Sequence, residues 1–261
     1  MAISDALSAA FEDYVLLLDR GYPAQATIKL VGDRHRLSAD ERLVLFRGGT
    51  SSSDAERRSA KLARPGPGAV ILVDLYNVAF TIVHYLVGKP CFISRDGLLR
   101  DAGANYGRVP HEDILARAFD LLASRLIELR PSRIEAFVDA PVSRSGGHAE
   151  LFRAALAAAR RAALSRAGDR VSADEEGEGP IWNVCVAHSA DGAVNAALEE
   201  FAHGPAEGRS VFVVSADSVL VDRAPRIFDA AREILEDEFG ARLDDLSPRY
   251  SEICKGFERT S

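Results

Sequence analysis

Four short apolar runs in this chain each lead into an aspartate, and no other feature constrains the fold as much. Val70-Ile-Leu-Val73 runs into Asp74, and Ile134 to Val138 runs into Asp139. Ile181 to Ala187 leads through His188-Ser-Ala to Asp191. Val211 to Val214 leads through Ser215-Ala to Asp217, with Asp222 about one turn further on. Short runs that are largely apolar throughout suit strands buried on both faces of a parallel sheet.

Helical stripes separate these runs. Val78 to Val87 reads as a helix. Leu115, Ala118, Leu122 and Leu129 mark a long helix opening at Pro110, and Gly147 to Arg166 reads as an alanine-rich one. Ala190, Val194, Leu198 and Phe201 mark another, and Ile227 to Phe239 reads as the last. Cys91 to Ser94 has the weaker pattern of an edge strand, and Val171 to Gly179 that of an acidic exposed loop. Strands alternating with helices predict an α/β fold with a mainly parallel sheet over residues 67–261.

Residues 1–66 read as a small all-helical module. Leu7, Phe11, Tyr14 and Leu18 recur at helical spacing, Gly21 and Pro23 punctuate, and Ser38 with Glu41 fits a capping box. Arg57, Arg58, Lys61 and Arg64 read as a basic helix. The breaker Arg64-Pro-Gly-Pro-Gly68 marks the expected domain boundary.

Charge follows the same division. The whole chain carries −7, yet Arg20 to Arg64 holds ten Lys/Arg against five Asp/Glu. A basic module on an acidic one suits a polyanionic partner held by the first part, and ordinary solvated helix faces would give the same count. The 261 residues hold no continuous apolar stretch of membrane-spanning length, and the first residues lack a basic leader. Cys91, Cys185 and Cys254 are far apart and form no CxxC pair, so a disulfide framework is not expected and a cytoplasmic setting fits. A homodimer is compatible with the sequence, which leaves the oligomeric state open.

In open parallel sheets the site lies outside the carboxyl ends of the strands. The four runs therefore bring Asp74, Asp139, Asp191 and Asp217 to one edge. Bare carboxylates there repel, and a hard divalent cation such as Mg²⁺ or Mn²⁺ resolves the conflict. Such an ion activates water and clamps a phosphoryl oxygen, so a phosphodiester is the natural substrate. The competing reading is that Asp191 and Asp217 only cap the helices they begin, and that Asp139, before Ala140-Pro141, serves a turn. A phosphatase on a similar sheet is disfavoured, because Leu75 and Tyr76 follow Asp74 where a second aspartate would be expected.

Other loops point the same way. Arg95-Asp96-Gly-Leu-Leu-Arg100-Asp101 offers arginines for phosphates, or is a salt-bridged surface loop. Ser143, Arg144 and Ser145 sit in a strand-to-helix turn whose amides suit a phosphate, or only a flexible connection. His148 and His188 lie near the same edge. Tyr76 and Trp182 have the rings to stack on bases, although Trp182 reads better as core.

Val73-Asp-Leu-Tyr-Asn77, Ser189-Ala-Asp-Gly-Ala-Val-Asn195 and Val213-Val-Ser-Ala-Asp217 resemble the PIN-like nucleases, especially their NYN branch. The resemblance implies a three-layer α/β/α sandwich that cleaves RNA with Mg²⁺ or Mn²⁺ held by aspartates. It makes Asp74 the first-strand ligand, Asn77 its helper, Asp191 the acid at a helix start, Asp217 the acid beside Ser215, and Asp222 the acid one turn later. The chain departs from that pattern in lacking a glutamate at the second acidic position, which Asp96, Asp101 or Asp139 would fill. The Asp217–Asp222 spacing is also one residue longer. Leu17-Leu-Asp-Arg-Gly-Tyr-Pro23, Leu30-Val-Gly-Asp-Arg34 and Arg95 to Asp101 resemble an uncharacterised prokaryotic group, domain of unknown function family 434, which implies no activity. A catalytically silent RNA- or protein-binding adaptor on the same scaffold is the alternative.

Overall fold

The computed structural model describes residues 4–103, 112–167, 179–203 and 209–247. By contacts the chain divides into two compact units. The first joins Met1–Ala60 to Val87–Ala104 and Ala241–Ser261, and the second joins Lys61–Leu86 to Asn105–Gly240. By contacts the division is discontinuous, with residues 61–66 in the second unit. The physical reason at the first boundary is local. Ile227 donates to Lys61 O and accepts from the Ala63 amide, which ties residues 61–63 to the second unit.

The first unit opens with four helices: α1 (Asp5–Asp19), α2 (Ala24–Arg34), α3 (Ala39–Gly48) and α4 (Ser52–Ser59). Ser4 caps α1 by accepting from the Leu7 amide, and Leu7, Phe11 and Tyr14 form its buried stripe. The Ser38–Glu41 capping box is present in both halves, so two orphan amides at the start of α3 are satisfied. These helices share a core of Leu7, Phe11, Tyr14, Val31 and Leu45 with Phe92 and Leu246. Gly48 and Gly49 permit that packing, since a Cβ on Gly48 would stand 2.5 Å from Leu246 Cδ1 and one on Gly49 2.6 Å from Tyr14.

The same unit holds a small sheet of β2 (Cys91–Ile93), β3 (Leu99–Asp101) and β7 (Asp244–Asp245) in the order β3-β2-β7. The segment expected at the edge of the large sheet is thus the central strand of a separate one. Its partners come from a reversal at Gly97, which takes a positive φ of 84°, and from the far C-terminal residues.

The second unit is a four-stranded sheet of β1 (Val70–Asp74), β4 (Arg133–Asp139), β5 (Ile181–Ala187) and β6 (Val211–Val214), all parallel. Their order is β5-β4-β1-β6. Every residue of β1 is buried, as its unbroken apolar sequence requires of a central strand. Helix α5 (Leu75–Leu86) starts directly after Asp74 and packs on β1 and β4. Helix α7 (Ser145–Ala167) packs on β4 and β5, and α8 (Ala190–His203) touches all four strands. Helix α6 (Glu112–Glu128) lies on α5 and α7, and α10 (Ala230–Phe239) on α5 and α6.

Two expected boundaries move. Ile227 belongs to no helix. It makes isolated bridges to Leu62 and Val213, and α10 begins only after its cap Asp229. The basic helix α4 stops at Ser59, so Lys61 and Arg64 follow it rather than lie on it. The expected helix start at Pro110, most of the acidic loop 171–179, His111 and Cys254 lie outside the described residues. No helix among the described residues is long and apolar enough to cross a membrane.

Candidate active site

The sheet order places a topological switch beside β1. From β1 the chain moves outward to β4 and β5, then returns to the other flank as β6. The carboxyl ends of strands at such a switch open a crevice. Asp74 closes β1 there, and Ser215, Ala216 and Asp217 follow β6.

Asp74 is only 4% exposed. Its Oδ2 accepts from the Ser215 hydroxyl at 3.1 Å, and the same hydroxyl oxygen accepts the Asp217 amide at 3.0 Å. Asn77, in the first turn of α5, accepts the Ala216 amide on Oδ1 at 2.8 Å. The three-residue turn after β6 is therefore held from the β1 side by two polar side chains, Ser215 being itself buried.

The other acids approach from the next strands. Asp139 ends β4, and its Oδ1 accepts the Ala190 amide at the start of α8 at 2.8 Å. Asp191 lies in the first turn of α8. Asp217 caps the six-residue α9 (Ser218–Arg223), with Oδ1 accepting from Val219 and Leu220 at 2.8 and 3.2 Å. The capping alternative thus holds for one oxygen of Asp217, whereas Asp139 Oδ1 reaches the start of α8 rather than of α7, the helix that follows it.

Electrostatics ties the four together. Burial drives the Asp74 carboxyl up to about 8, the charges of Asp191, Asp139 and Asp217 push the same way, and the Ser215 hydroxyl pulls partly back. Asp191 is raised by burial and then by the charges of Asp217 and Asp139. These carboxylates share one field, yet no three His, Cys, Asp or Glu side chains among the described residues form a group that could already hold a metal ion.

Asp222 contributes differently. It lies within α9, and Lys61 Nζ donates to its backbone carbonyl at 2.7 Å and to that of Val221 at 2.9 Å. Ser143 and Arg144 are exposed in the turn before α7, where Arg144 takes a positive φ of 66° and pairs with Glu112 at 2.8 Å. Ser145 Oγ donates to the Ala140 carbonyl at 3.3 Å.

The Arg95–Asp101 loop lies in the first unit and is engaged there. Asp96 is fully buried and accepts from Arg100 at 3.0 Å, from Arg58 at 3.4 Å and from Ser94 at 2.5 Å. Arg95 donates to Thr50 O and Ser52 Oγ, and Asp101 accepts from Arg47 and the Gly103 amide. The salt-bridge alternative describes this loop, although its centre is buried rather than on the surface. Arg57 pairs with Asp54, and Arg64 with Glu233. Of the three candidates for the further acid, Asp139 is the one whose charge acts on Asp74 and Asp191.

Sequence reading missed one buried pair. Tyr76 Oη and His148 Nδ1 lie 2.7 Å apart, and His148 Nε2 is buried with no hydrogen-bond partner. Their separation of 72 residues gave no local signal. His188, by contrast, is exposed. Trp182 is not core, being half-buried near the start of edge strand β5.

Residues 6–61 match the family described as Protein of unknown function (DUF434), and residues 67–174 match that described as Domain of unknown function (DUF5616). The uncharacterized protein MJ0935 of Methanocaldococcus jannaschii is 30% identical over 146 residues, covering 54% of this chain and 68% of that protein. The chain belongs to the same family as this archaeal protein, and carries a DUF434 segment followed by a DUF5616 segment. No solved structure matches it.

Proposed function

We propose that the protein is a metal-dependent phosphodiester hydrolase acting on RNA, on a PIN-like three-layer scaffold. One observation carries the reading: Asp74 is buried at the topological switch, on the strand-end edge that also receives Asp139, Asp191 and Asp217, whose charges push its carboxyl up. A site built only for stability gains nothing from four carboxylates in one field. The donor set fits a hard cation, because oxygen ligands and uncompensated negative charge are what Mg²⁺ or Mn²⁺ requires.

Asp74, Asp191 and Asp217 would hold the ion, with Asp139 beside them. When bound, the ion supplies Lewis acidity toward a phosphoryl oxygen and a lowered water pKa. The chain's own residues supply position. Ser215 fixes Asp74 relative to the Asp217 backbone, and Asn77 holds the turn between them. The Asp139 carboxylate fixes the start of α8 and so the placement of Asp191.

The test incubates purified protein with labelled RNA and Mn²⁺, with and without chelator. Chelator-sensitive cleavage lost in Asp74→Asn and Asp217→Asn is expected. Intact RNA under every condition, or undiminished cleavage by both variants, overturns the reading.

A second reading, a silent RNA-binding adaptor, draws support from the oxygens of Asp139 and Asp217 already spent on helix amides. It expects wild-type protein to bind RNA without cutting it, and both aspartate variants to bind as well.

A further inference from the structure

Away from the acidic edge, the second unit has a hollow of about 440 Å³ lined by Arg160, Gly179, Pro180, Ile181 and Trp182. It lies at the amino end of β5, the outermost strand of the sheet. The surface around it is apolar and cationic together. Ile181 is 63% exposed, and the Arg160 guanidinium lies over the Trp182 ring at 5.7 Å from its centroid. The stretch from Leu151 to Ala167 contains Arg153, Arg160, Arg161 and Arg166 and no acid, in a chain that carries −7 overall.

The strand itself offers hydrogen bonds. The Ile181 amide donates to Ser132 O and the Ala187 carbonyl accepts from Ala140, so odd-numbered residues turn their backbone groups toward β4. Those of Trp182, Val184 and Val186 therefore turn outward, and Arg153 already occupies the Val184 carbonyl. An indole with a guanidinium on it and outward amides alongside suit a planar base joined to a phosphate. A purely apolar ligand would leave the arginine unused.

We propose that Trp182 and Arg160 form a nucleobase-stacking subsite for single-stranded RNA. This rests on the reading of the protein as acting on RNA. Five residues of strand separate Trp182 from Ala187, beside Asp139, which is about 16 Å. The subsite therefore takes a nucleotide away from the bond at the acidic edge. Gly179 is part of its construction, because a Cβ there would stand 2.5 Å from Arg160 Nε and displace the guanidinium from the ring.

Trp182 is the single tryptophan of the chain, so emission excited beyond the absorption of the six tyrosines reads this position alone. Full-length protein in chelator is titrated with an unlabelled oligoadenylate and, separately, with AMP, while anisotropy of a labelled copy of the oligonucleotide follows binding. Saturable quenching that tracks the anisotropy is expected, with the oligonucleotide acting at lower concentration than AMP. Quenching by AMP alone overturns an RNA subsite in favour of a mononucleotide one. Trp182→Ala should weaken oligonucleotide binding about 5- to 150-fold, the usual value of one stacked base. Trp182→Phe should retain most of it, and Gly179→Ala should weaken binding while the circular dichroism spectrum is unchanged. Anisotropy that saturates with no change in Trp182 emission overturns the subsite and leaves the hydrolase reading standing. No binding of RNA in either measurement, with no cleavage in Mn²⁺, overturns both.

Discussion

The Ser215 hydroxyl donates to Asp74 Oδ2 at 3.1 Å while accepting the Asp217 amide, so one buried side chain joins the ends of β1 and β6. Ser215→Ala removes a hydrogen bond to a carboxyl that is 4% exposed. A buried group left without its partner costs about 1–3 kcal/mol. The variant should unfold at lower urea, and Asp74 should titrate higher still, because the hydroxyl is what pulls it down. Urea midpoints compared at pH 6 check this, and an unchanged midpoint would remove Ser215 from the framework.

Asp74 also predicts how the metal-free protein responds to pH. Its folded carboxyl sits at about 8, against the ordinary value of 3.8. The folded state therefore keeps a proton that the unfolded chain has released. The stabilisation is fully present below about pH 4 and is lost as pH rises through 8. Chelated wild-type protein should become less stable across that window, and Asp74→Asn should flatten the dependence. Added Mn²⁺ should restore stability at pH 8. Denaturant titrations at three pH values, with and without the ion, measure all of this, and a wild-type stability rising from pH 5 to 8 in chelator would contradict it.

Asp139 has two roles that substitution separates. Its Oδ1 accepts the Ala190 amide at 2.8 Å, and its charge raises both Asp74 and Asp191. Asp139→Asn keeps an acceptor and removes the charge, so stability near neutral pH should hold or rise while metal affinity falls. Asp139→Ala removes both and should cost about 1 kcal/mol through the lost cap. Thermal unfolding with Mn²⁺ titration distinguishes them. Equal destabilisation by Asn and Ala would mean that the charge, not the cap, holds α8.

Much of the second unit was legible because its signals are local. The apolar runs ending at Asp74 and Asp139, and those leading to Asp191 and Asp217, are strands of one parallel sheet, and β1, buried along its whole length, has little choice of composition, whereas outer strand β5 buries only Val184. The capping box at Ser38 is read from four residues. What stayed hidden depends on distant partners. Cys91 to Ile93 pairs with Asp244 and Asp245, and nothing in either segment announces the other. Arg58 resembles any surface cation in sequence, yet it is buried against an aspartate 38 residues away. Trp182 looked like core because large aromatic residues usually are, and its place on an outer strand follows from strand order, which periodicity does not encode.

That buried cation leads to a prediction about the first unit. Asp96 has no exposed surface and is gripped by Arg100 at 3.0 Å, by Arg58 at 3.4 Å and by the Ser94 hydroxyl. The two arginines are nearly as buried, and they reach Asp96 from α4 and from β3. Removing the carboxylate leaves two buried guanidinium groups without their counter-ion, a loss of about 3–5 kcal/mol for a broken buried pair. Asp96→Ala should therefore lower the unfolding midpoint far more than Asp54→Ala, whose partner Arg57 is about half exposed. The double change Arg58→Met with Asp96→Asn should recover part of the loss, because it removes one stranded charge along with its partner. Equal, small effects of Asp96→Ala and Asp54→Ala in denaturant titrations would show that water reaches this network, and would return the Arg95–Asp101 loop to consideration as a phosphate-gripping surface.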